Sequence, residues 1–387
     1  MIPLKYNVRN LRVRWVNTVL SILATGLVVW SSCILFGFVE GLQYSLNVSG
    51  DPLDMIVLRK GSTNETNGGY DESKADSILT LDGIARDPQG RPLASIELLN
   101  IPVVERRGGG RANIIVRGID PVARELRPSF QIIAGRDFEP GKAECIVSKN
   151  LSKRFAGAGL GELLVCGDKE QYRVVGIFTA GGSAAESEVW VDRQDLEQRT
   201  GREGSVSSVQ LRAASAADYD RIKSTIENDN RFKLAPLSEV DYFAAQSRSS
   251  LFLKVGGTII AILLTAGAMF AAANTMYAAV RTRTREIGTM RALGFSRMDV
   301  LFCFLGESML LCLLGGALGL LATLPLQVIT YGTSNFDTFS EVTFNFRFGP
   351  LVMGVAVGMT LAMGLVGGLF PALRAVRMDV IKALREV

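Results

Sequence analysis

The chain has 387 residues, a net charge of +4 and no histidine, and 48% of its residues are hydrophobic. Without histidine the chain lacks the commonest general base and metal ligand, so a hydrolase or a zinc enzyme is not expected and no metal site is predicted. The apolar residues concentrate in four long runs, while the stretch between the first two runs has the composition of an ordinary soluble protein. Length and composition therefore predict a membrane protein with a large soluble domain.

Residues 1–15 predict an amphipathic helix at the membrane surface, because basic residues flank an apolar face formed by Leu4, Val8, Leu11 and Trp15. A solvated basic tail is the alternative interpretation. Residues 16–39 form an uncharged apolar run, which exceeds the roughly 20 residues needed to cross a bilayer. A cleaved signal peptide is the alternative there, but no cleavage motif follows Phe38, so a retained first membrane helix is predicted.

Residues 40–250 predict an extracytoplasmic domain in which strands mix with helices, an α+β fold. Short β-rich runs occupy positions 55–58, 113–116, 144–147, 173–178, 188–191 and 208–211, and helical segments are predicted at 150–155, at 193–199 and after Ser215. A cap at Ser238 and Asp241 predicts a stalk helix that continues into the second apolar run. Cys145 and Cys166 fit a disulfide and two free thiols equally well.

Three further apolar runs predict membrane helices at 251–280, 300–331 and 350–373, separated by a polar segment at 281–299 and an extracytoplasmic loop at 332–349. Glycines spaced four residues apart favour close helix packing, namely Gly315 with Gly319 and Gly354 with Gly358. Glu307 is an acid within an apolar run. It indicates either a paired, functional group or an acid that caps a helix or reaches the membrane surface.

Basic residues near the helix ends set the predicted orientation. They concentrate in the N-terminal segment, in residues 281–299 and in the tail at 374–387, whereas the loop at 332–349 contains only Arg347. Both termini and the 281–299 segment are therefore predicted to be cytoplasmic, and residues 40–250 to lie on the opposite side.

The 281–299 segment predicts a short amphipathic helix between two membrane helices. Its apolar residues recur at three-residue spacing on one helix face: Ile287, Met290 and Leu293. Gly294 predicts the end of this helix, and Ser296 with Asp299 predicts a capping box that opens the next. The apolar face is of the kind that docks in the groove of a partner protein.

The chain lacks the G-x-x-x-x-G-K-[ST] loop that would cradle a nucleotide phosphate, since Gly141-Lys142 is followed by Ala143. It is therefore not expected to hydrolyse ATP by itself. No motif for binding nucleic acid is present either.

These features together resemble the permeases of the MacB/FtsX/LolC group of ABC transporters. Residues 285–294 look like that family's loop before its third helix, residues 371–385 resemble its closing motif, and residues 172–178 are similar to a strand of its MacB-like periplasmic core domain. The layout is most similar to free-standing permeases of the DevC kind. Val380 departs from the family pattern, which usually has proline there.

The resemblance implies a non-catalytic permease subunit of the bacterial inner membrane that forms a homodimer and couples to a separate ATPase subunit. ATP and magnesium would bind to that ATPase, and no cofactor to this chain. Coupling is assigned to Arg285, Glu286, Ile287, Gly288, Met290, Arg291, Leu293 and Gly294. ATP-driven movement of this helix would reach the extracytoplasmic domain, a mechanism called mechanotransmission.

The implied work is export or extraction of a hydrophobic, lipid-linked or peptide substrate, with a periplasmic adaptor and an outer-membrane channel as further expected partners. An alternative is an FtsX-like signalling subunit that activates an extracytoplasmic partner such as a cell-wall hydrolase. The large mixed domain favours transport.

Overall fold

The computed structural model describes residues 15–167, 170–229, 232–335 and 338–380. Residues 1–14 of the predicted amphipathic helix and residues 381–387 of the predicted tail lie outside these ranges. The chain divides into two compact units. We call Met1–Gly41, Phe252–Ile329 and Asn345–Val387 the membrane unit, and Leu42–Leu251 with Thr330–Phe344 the soluble unit.

Numbered along the described residues, the α-helices are α1 (Trp15–Asn47), α2 (Glu72–Leu79), α3 (Lys149–Arg154), α4 (Arg193–Thr200), α5 (Ala216–Asn228), α6 (Glu239–Thr282), α7 (Thr284–Ala292), α8 (Arg297–Thr323) and α9 (Pro350–Val376). The strands are β1 (Asp54–Arg59), β2 (Tyr70–Asp71), β3 (Ala94–Asn100), β4 (Val103–Glu105), β5 (Arg111–Asn113), β6 (Ile115–Ile119), β7 (Gln131–Gly135), β8 (Glu144–Ser148), β9 (Leu163–Cys166), β10 (Glu170–Thr179), β11 (Glu188–Asp192), β12 (Ser205–Val206), β13 (Ser208–Arg212), β14 (Leu234–Ser238), β15 (Thr330–Ser334) and β16 (Glu341–Asn345).

Four stretches of the described chain are helical, long and apolar enough to cross a membrane: Trp15–Leu46, Lys254–Thr282, Arg297–Val328 and Pro350–Val376. They confirm the four predicted membrane helices. The third ends earlier than predicted, because Pro325 lies two residues after Thr323 and the chain continues as the 3-10 turn Leu324–Val328. The first continues to Asn47, beyond the predicted end at residue 39, since a single glycine at Gly41 does not break a helix.

Glycine packing is confirmed at one predicted pair and not at the other. A Cβ added at Gly315 would lie 2.7 Å from the backbone oxygen of Ile22 on α1, and one added at Gly319 would lie 3.1 Å from Val29 Cβ. Only glycine permits this close approach of α8 to α1. A Cβ added at Gly354 or Gly358 would meet no atom within 4 Å, so this pair makes no close helix contact within the described chain and its packing role stays a prediction.

The soluble unit is built on a ten-stranded sheet in the order β14-β1-β13-β3-β6-β11-β8-β10-β7, with β9 paired to β10. Two pairs are parallel, β6 with β11 and β8 with β10, and the other pairs are antiparallel. The central strands β8 and β11 are buried along their whole length, which explains the three consecutive apolar residues at the centre of each. Strands mixed with short helices confirm the predicted α+β fold.

The predicted loop at 332–349 is not a plain loop. Strands β15 and β16 form a hairpin, and Thr330–Phe344 belongs to the soluble unit. Glu341 on β16 is buried and accepts hydrogen bonds from Nε of Arg106 at 3.0 Å and Nε of Arg154 at 2.9 Å. Two guanidinium groups from distant parts of the sequence thus neutralise this acid, a pairing that local sequence patterns do not reveal.

Cys145 and Cys166 are free and fully buried in the core of the soluble unit, so the disulfide alternative is not realised. Burial raises the pKa of the Cys166 thiol to about 12, which keeps it protonated and unreactive. The Ser238 cap is present, since the Ser238 hydroxyl accepts from the Asp241 amide at 3.0 Å. Helix α6 then continues unbroken from Glu239 to Thr282, as predicted for a stalk helix.

Candidate coupling site

The predicted 281–299 segment contains a nine-residue helix, α7, which we call the coupling helix. Its end is a Schellman motif: the Phe295 amide donates to the Met290 carbonyl and the Gly294 amide to the Arg291 carbonyl, both at 3.2 Å. Gly294 has φ of +93°, which a residue with a Cβ adopts only with strain. Ser296 and Asp299 then form the predicted capping box at the start of α8. The reversal between the two helices is therefore closely specified by local sequence.

The apolar face of the coupling helix does not point outward as predicted. Ile287 is 1% exposed and belongs to an apolar cluster with residues of α6, α8 and α9, and Met290 packs against the same cluster. The apolar residues bury against the helices of their own chain because those helices are the nearest apolar surface. Gly288 is buried as well, so these three residues hold the coupling helix in place and do not offer a docking face.

Leu293 is the exception, because its side chain is 74% exposed at the end of the coupling helix. We define the coupling surface as the exposed residues around it: Arg285, Glu286, Thr289, Ala292, Leu293, Gly294, Arg297 and Met298. Arg291 lies at its edge, half-buried, and its Nη1 donates to the Phe295 carbonyl at 3.2 Å. A large exposed apolar residue surrounded by charged groups is the pattern of a protein interaction site.

Glu307, on α8, is paired. Its Oε2 accepts from Nη1 of Arg283 at 2.8 Å, and the two side chains are 7% and 3% exposed. Nε of Arg283 also donates to Glu286 at 3.0 Å, and its guanidinium lies 5.0 Å from the centre of the Phe304 ring. The alternative of a lone capping acid is therefore wrong. A buried charge pair links α8 to the residue that precedes the coupling helix.

This pair ties the start of the coupling helix to α8. Separating a buried arginine from its carboxylate leaves two unpaired charges, which costs several kcal/mol. Pulling the coupling helix away from α8 would therefore carry that cost. Glu307 stands out in the sequence as an acid within an apolar run, whereas Arg283 does not, because it is one of several basic residues near a helix end.

A second buried charge group lies in the soluble unit, where we call Arg117, Glu65, Glu97 and Glu188 the ion cluster. Arg117 on β6 contacts Glu97 on β3 and Glu188 on β11 at 2.5 and 2.7 Å, and Glu65 at 2.9 Å. Burial would lower the pKa of Arg117, but the three carboxylates outweigh that effect and raise it. The sequence signal was available, since charged residues stand within the apolar runs of β3 and β6.

Comparison with known proteins agrees with the described architecture. A model of the MacB-like periplasmic core domain matches residues 18–229, more than half of the chain, and a model of the FtsX-like permease C-terminal region matches residues 258–380. The macrolide export ATP-binding/permease protein MacB 1 of Aeromonas hydrophila is 26% identical over 384 residues, covering 93% of this chain and 56% of the relative. The pyoverdine export ATP-binding/permease protein PvdT of Pseudomonas entomophila is 26% identical over 407 residues, covering 96% and 58%.

The chain thus spans somewhat more than half the length of these curated relatives. Among solved structures, the periplasmic region of MacB from Actinobacillus actinomycetemcomitans matches with 10% identity and a TM-score of 0.38, over 49% of this chain and 91% of that one. The extracellular domain of the ABC-type transporter YknZ from Gram-positive bacteria matches with 17% identity and a TM-score of 0.37, over 48% and 100%.

The fold defines an integral membrane protein with four apolar helices and an α+β domain between the first two. The two family matches place a permease region after that domain. The chain belongs to the MacB-like family of ABC transporter permeases with an FtsX-like C-terminal region.

Proposed function

We propose that this chain is the permease subunit of an ABC transporter of the bacterial inner membrane, with both termini in the cytoplasm. ATP hydrolysis by a separate ATPase subunit drives movements of the soluble unit through the coupling helix. These movements export or extract a hydrophobic, lipid-linked or peptide substrate. Two permease copies form the transporter. The coupling surface around Leu293 supports this proposal most directly, because Leu293 is exposed while Ile287 on the same helix is buried against the chain's own helices.

Some residues hold the coupling helix against the chain's own helices, and others remain exposed for a partner. Ile287 and Met290 fix the helix to α6, α8 and α9 by apolar burial, and the Arg283–Glu307 pair fixes its start to α8. Leu293 and its charged neighbours remain exposed, so a partner can contact them. A partner whose nucleotide-bound and nucleotide-free states contact this surface differently biases the permease between two conformations, and that difference in contact energy is the source of work.

Leu293→Asp tests the proposal. Full burial of a leucine side chain contributes roughly 1.5–3 kcal/mol. Its loss should therefore lower the affinity between the permease and the ATPase by about tenfold or more. The position is exposed in the described chain, so the free energy of unfolding should change by less than about 0.5 kcal/mol.

The matched control is Leu160→Asp, the same change at a 51% exposed leucine of the soluble unit. The permease is reconstituted with the ATPase that co-purifies with it, and ATP hydrolysis and transport are measured. Wild-type coupling in Leu293→Asp, or equal loss in both variants, refutes the docking role of this surface.

A further inference from the structure

A cavity of about 220 Å³ lies within the soluble unit, and Glu65, Arg117 and Glu188 of the ion cluster form part of its wall. Its wall includes residues from three segments that each continue along the chain into an apolar helix. These segments are the end of α1 with the turn after it, the first residues of α6, and the β15–β16 hairpin. The first segment contributes Leu46 to the wall, the second contributes Tyr242 and the third contributes Asn335.

The cavity wall carries more negative than positive groups. Its carboxylates are Asp51, Asp54, Glu65, Glu188 and Glu239, whereas its guanidinium groups are Arg117, Arg127 and Arg212. The arginines are already engaged: Arg212 bonds Asp54 at 2.6 Å, Arg117 bonds Glu65 and Glu188, and Arg127 bonds Glu97 at 3.0 Å. Five acids against three bases leave an excess of two negative charges if all are ionised.

Glu239 accounts for part of this excess. Its side chain is buried, with the residue 8% exposed, and forms no ion pair with any described residue. Oε2 accepts one hydrogen bond from the Asp51 amide at 3.2 Å. Burial raises the pKa of Glu239 to about 8, helped by the charges of Asp54 and Glu65 and opposed by Arg127 and the Asp51 amide. A carboxyl group without a basic partner therefore faces the cavity, and it is mostly protonated below about pH 8.

Gln210 is a second unsatisfied group. It lies on β13 between Ser208 and Arg212, which bond Glu65 and Asp54 on the same face of the sheet. Gln210 is 7% exposed and lines the cavity, yet its side-chain amide makes no hydrogen bond within the described chain. The amide is therefore open to the cavity, where an occupant can form hydrogen bonds with it in place of water.

We propose that this cavity binds a small organic cation whose ammonium or guanidinium group is neutralised by Glu239 and hydrogen-bonded by Gln210. Such a group brings several donors, which suit the carboxylate and amide oxygens of the wall. A metal ion fits less well, because no group of three ligating acidic, cysteine or histidine side chains converges in the described residues. The volume equals that of roughly seven water molecules, which is more than a single ion fills.

Occupancy has a consequence that rests on the proposed function. Because the cavity wall includes all three segments that continue into apolar helices, any movement of those segments would change the shape of the site. Binding and the transport cycle would therefore influence each other, as linkage requires.

Calorimetry on the full chain in detergent tests the binding directly, with butylammonium and methylguanidinium as probes and butanol as the neutral control. At least one cation should bind at millimolar concentration, and butanol should not. The affinity should rise by about tenfold per pH unit up to the pKa of Glu239, because the ionised carboxylate binds the cation. Glu239→Gln, which keeps shape and removes charge, should lower the affinity at least tenfold at pH 8.

Glu105→Gln is the matched control, because that carboxylate is exposed and lies outside the cavity wall. Gln210→Met should lower the affinity severalfold without changing the pH dependence. Three results overturn the proposal: no binding of either cation, equal binding of butanol, or unchanged binding in Glu239→Gln with the fold intact by circular dichroism. The assay needs no ATPase, so its failure is distinct from a failure of the proposed coupling, which Leu293→Asp tests.

Discussion

The buried pair between Arg283 and Glu307 gives the most informative perturbation of the membrane unit. Both side chains are more than nine-tenths buried, and Nη1 of Arg283 lies 2.8 Å from Oε2 of Glu307. Removing one partner of such a pair costs about 3–5 kcal/mol, because the other charge stays buried. Glu307→Leu should fall at the lower end of that range, since Arg283 keeps its bond to the half-exposed Glu286. Arg283→Met should cost at least as much.

The double variant separates stability from transmission. With both charges replaced by apolar groups, the free energy of unfolding should return to within about 1–2 kcal/mol of the wild-type value. Stimulation of the ATPase by the permease should nevertheless stay low in Glu307→Leu, in Arg283→Met and in the double variant. Apolar contact alone holds the coupling helix less firmly against α8 than the charge pair does. Unfolding is followed in detergent, and ATP hydrolysis in the reconstituted complex.

Two results would refute this reasoning. Recovery of both stability and stimulated hydrolysis in the double variant would mean that the pair matters only for folding. A Glu307→Leu variant as stable as the wild type would mean that the buried charges are not paired as described.

Two further predictions concern the soluble unit and the helix packing. The pKa of Glu239 rises from 4.5 to about 8 on folding, so the folded state binds more protons than the unfolded state in this interval. The free energy of unfolding should therefore fall as the pH rises from about 4.5 to 8. Urea titrations of Glu239→Gln should show a weaker dependence of stability on pH, and an unchanged dependence would contradict the raised pKa of Glu239. Gly315→Leu should destabilise the membrane unit by about 1–3 kcal/mol or more, because α1 leaves no room, whereas Gly354→Leu should not affect the isolated permease. Equal losses of thermal stability in the two glycine variants would contradict the described crossing of α1 and α8.

Local signals carried most of what sequence predicted correctly. Runs of apolar residues located the four membrane helices, and Gly294 and the Ser296–Asp299 box located the reversal before α8. These features depend on residues a few positions apart, so composition and spacing suffice. The α+β fold of the soluble unit followed in the same way from short β-rich runs.

The errors share a physical cause, which is dependence on distant residues. The three-residue spacing showed that Ile287 lies on an apolar face, but not that this face packs on the chain's own helices. The partner of Glu307 is 24 positions away, and the arginines that neutralise Glu341 are nearly 190 and 235 positions away. Such pairings are fixed by the fold, and no local pattern contains them.

The central claim is that an energy-supplying subunit contacts the coupling helix at Leu293. Leu293→Cys, in a background with the five buried native cysteines replaced, allows cross-linking to the co-purified ATPase with and without ATP. We expect a cross-linked product whose yield differs between the two nucleotide states, and none from the matched Leu160→Cys variant. No product from Leu293→Cys in either state, or a product only from Leu160→Cys, would contradict it.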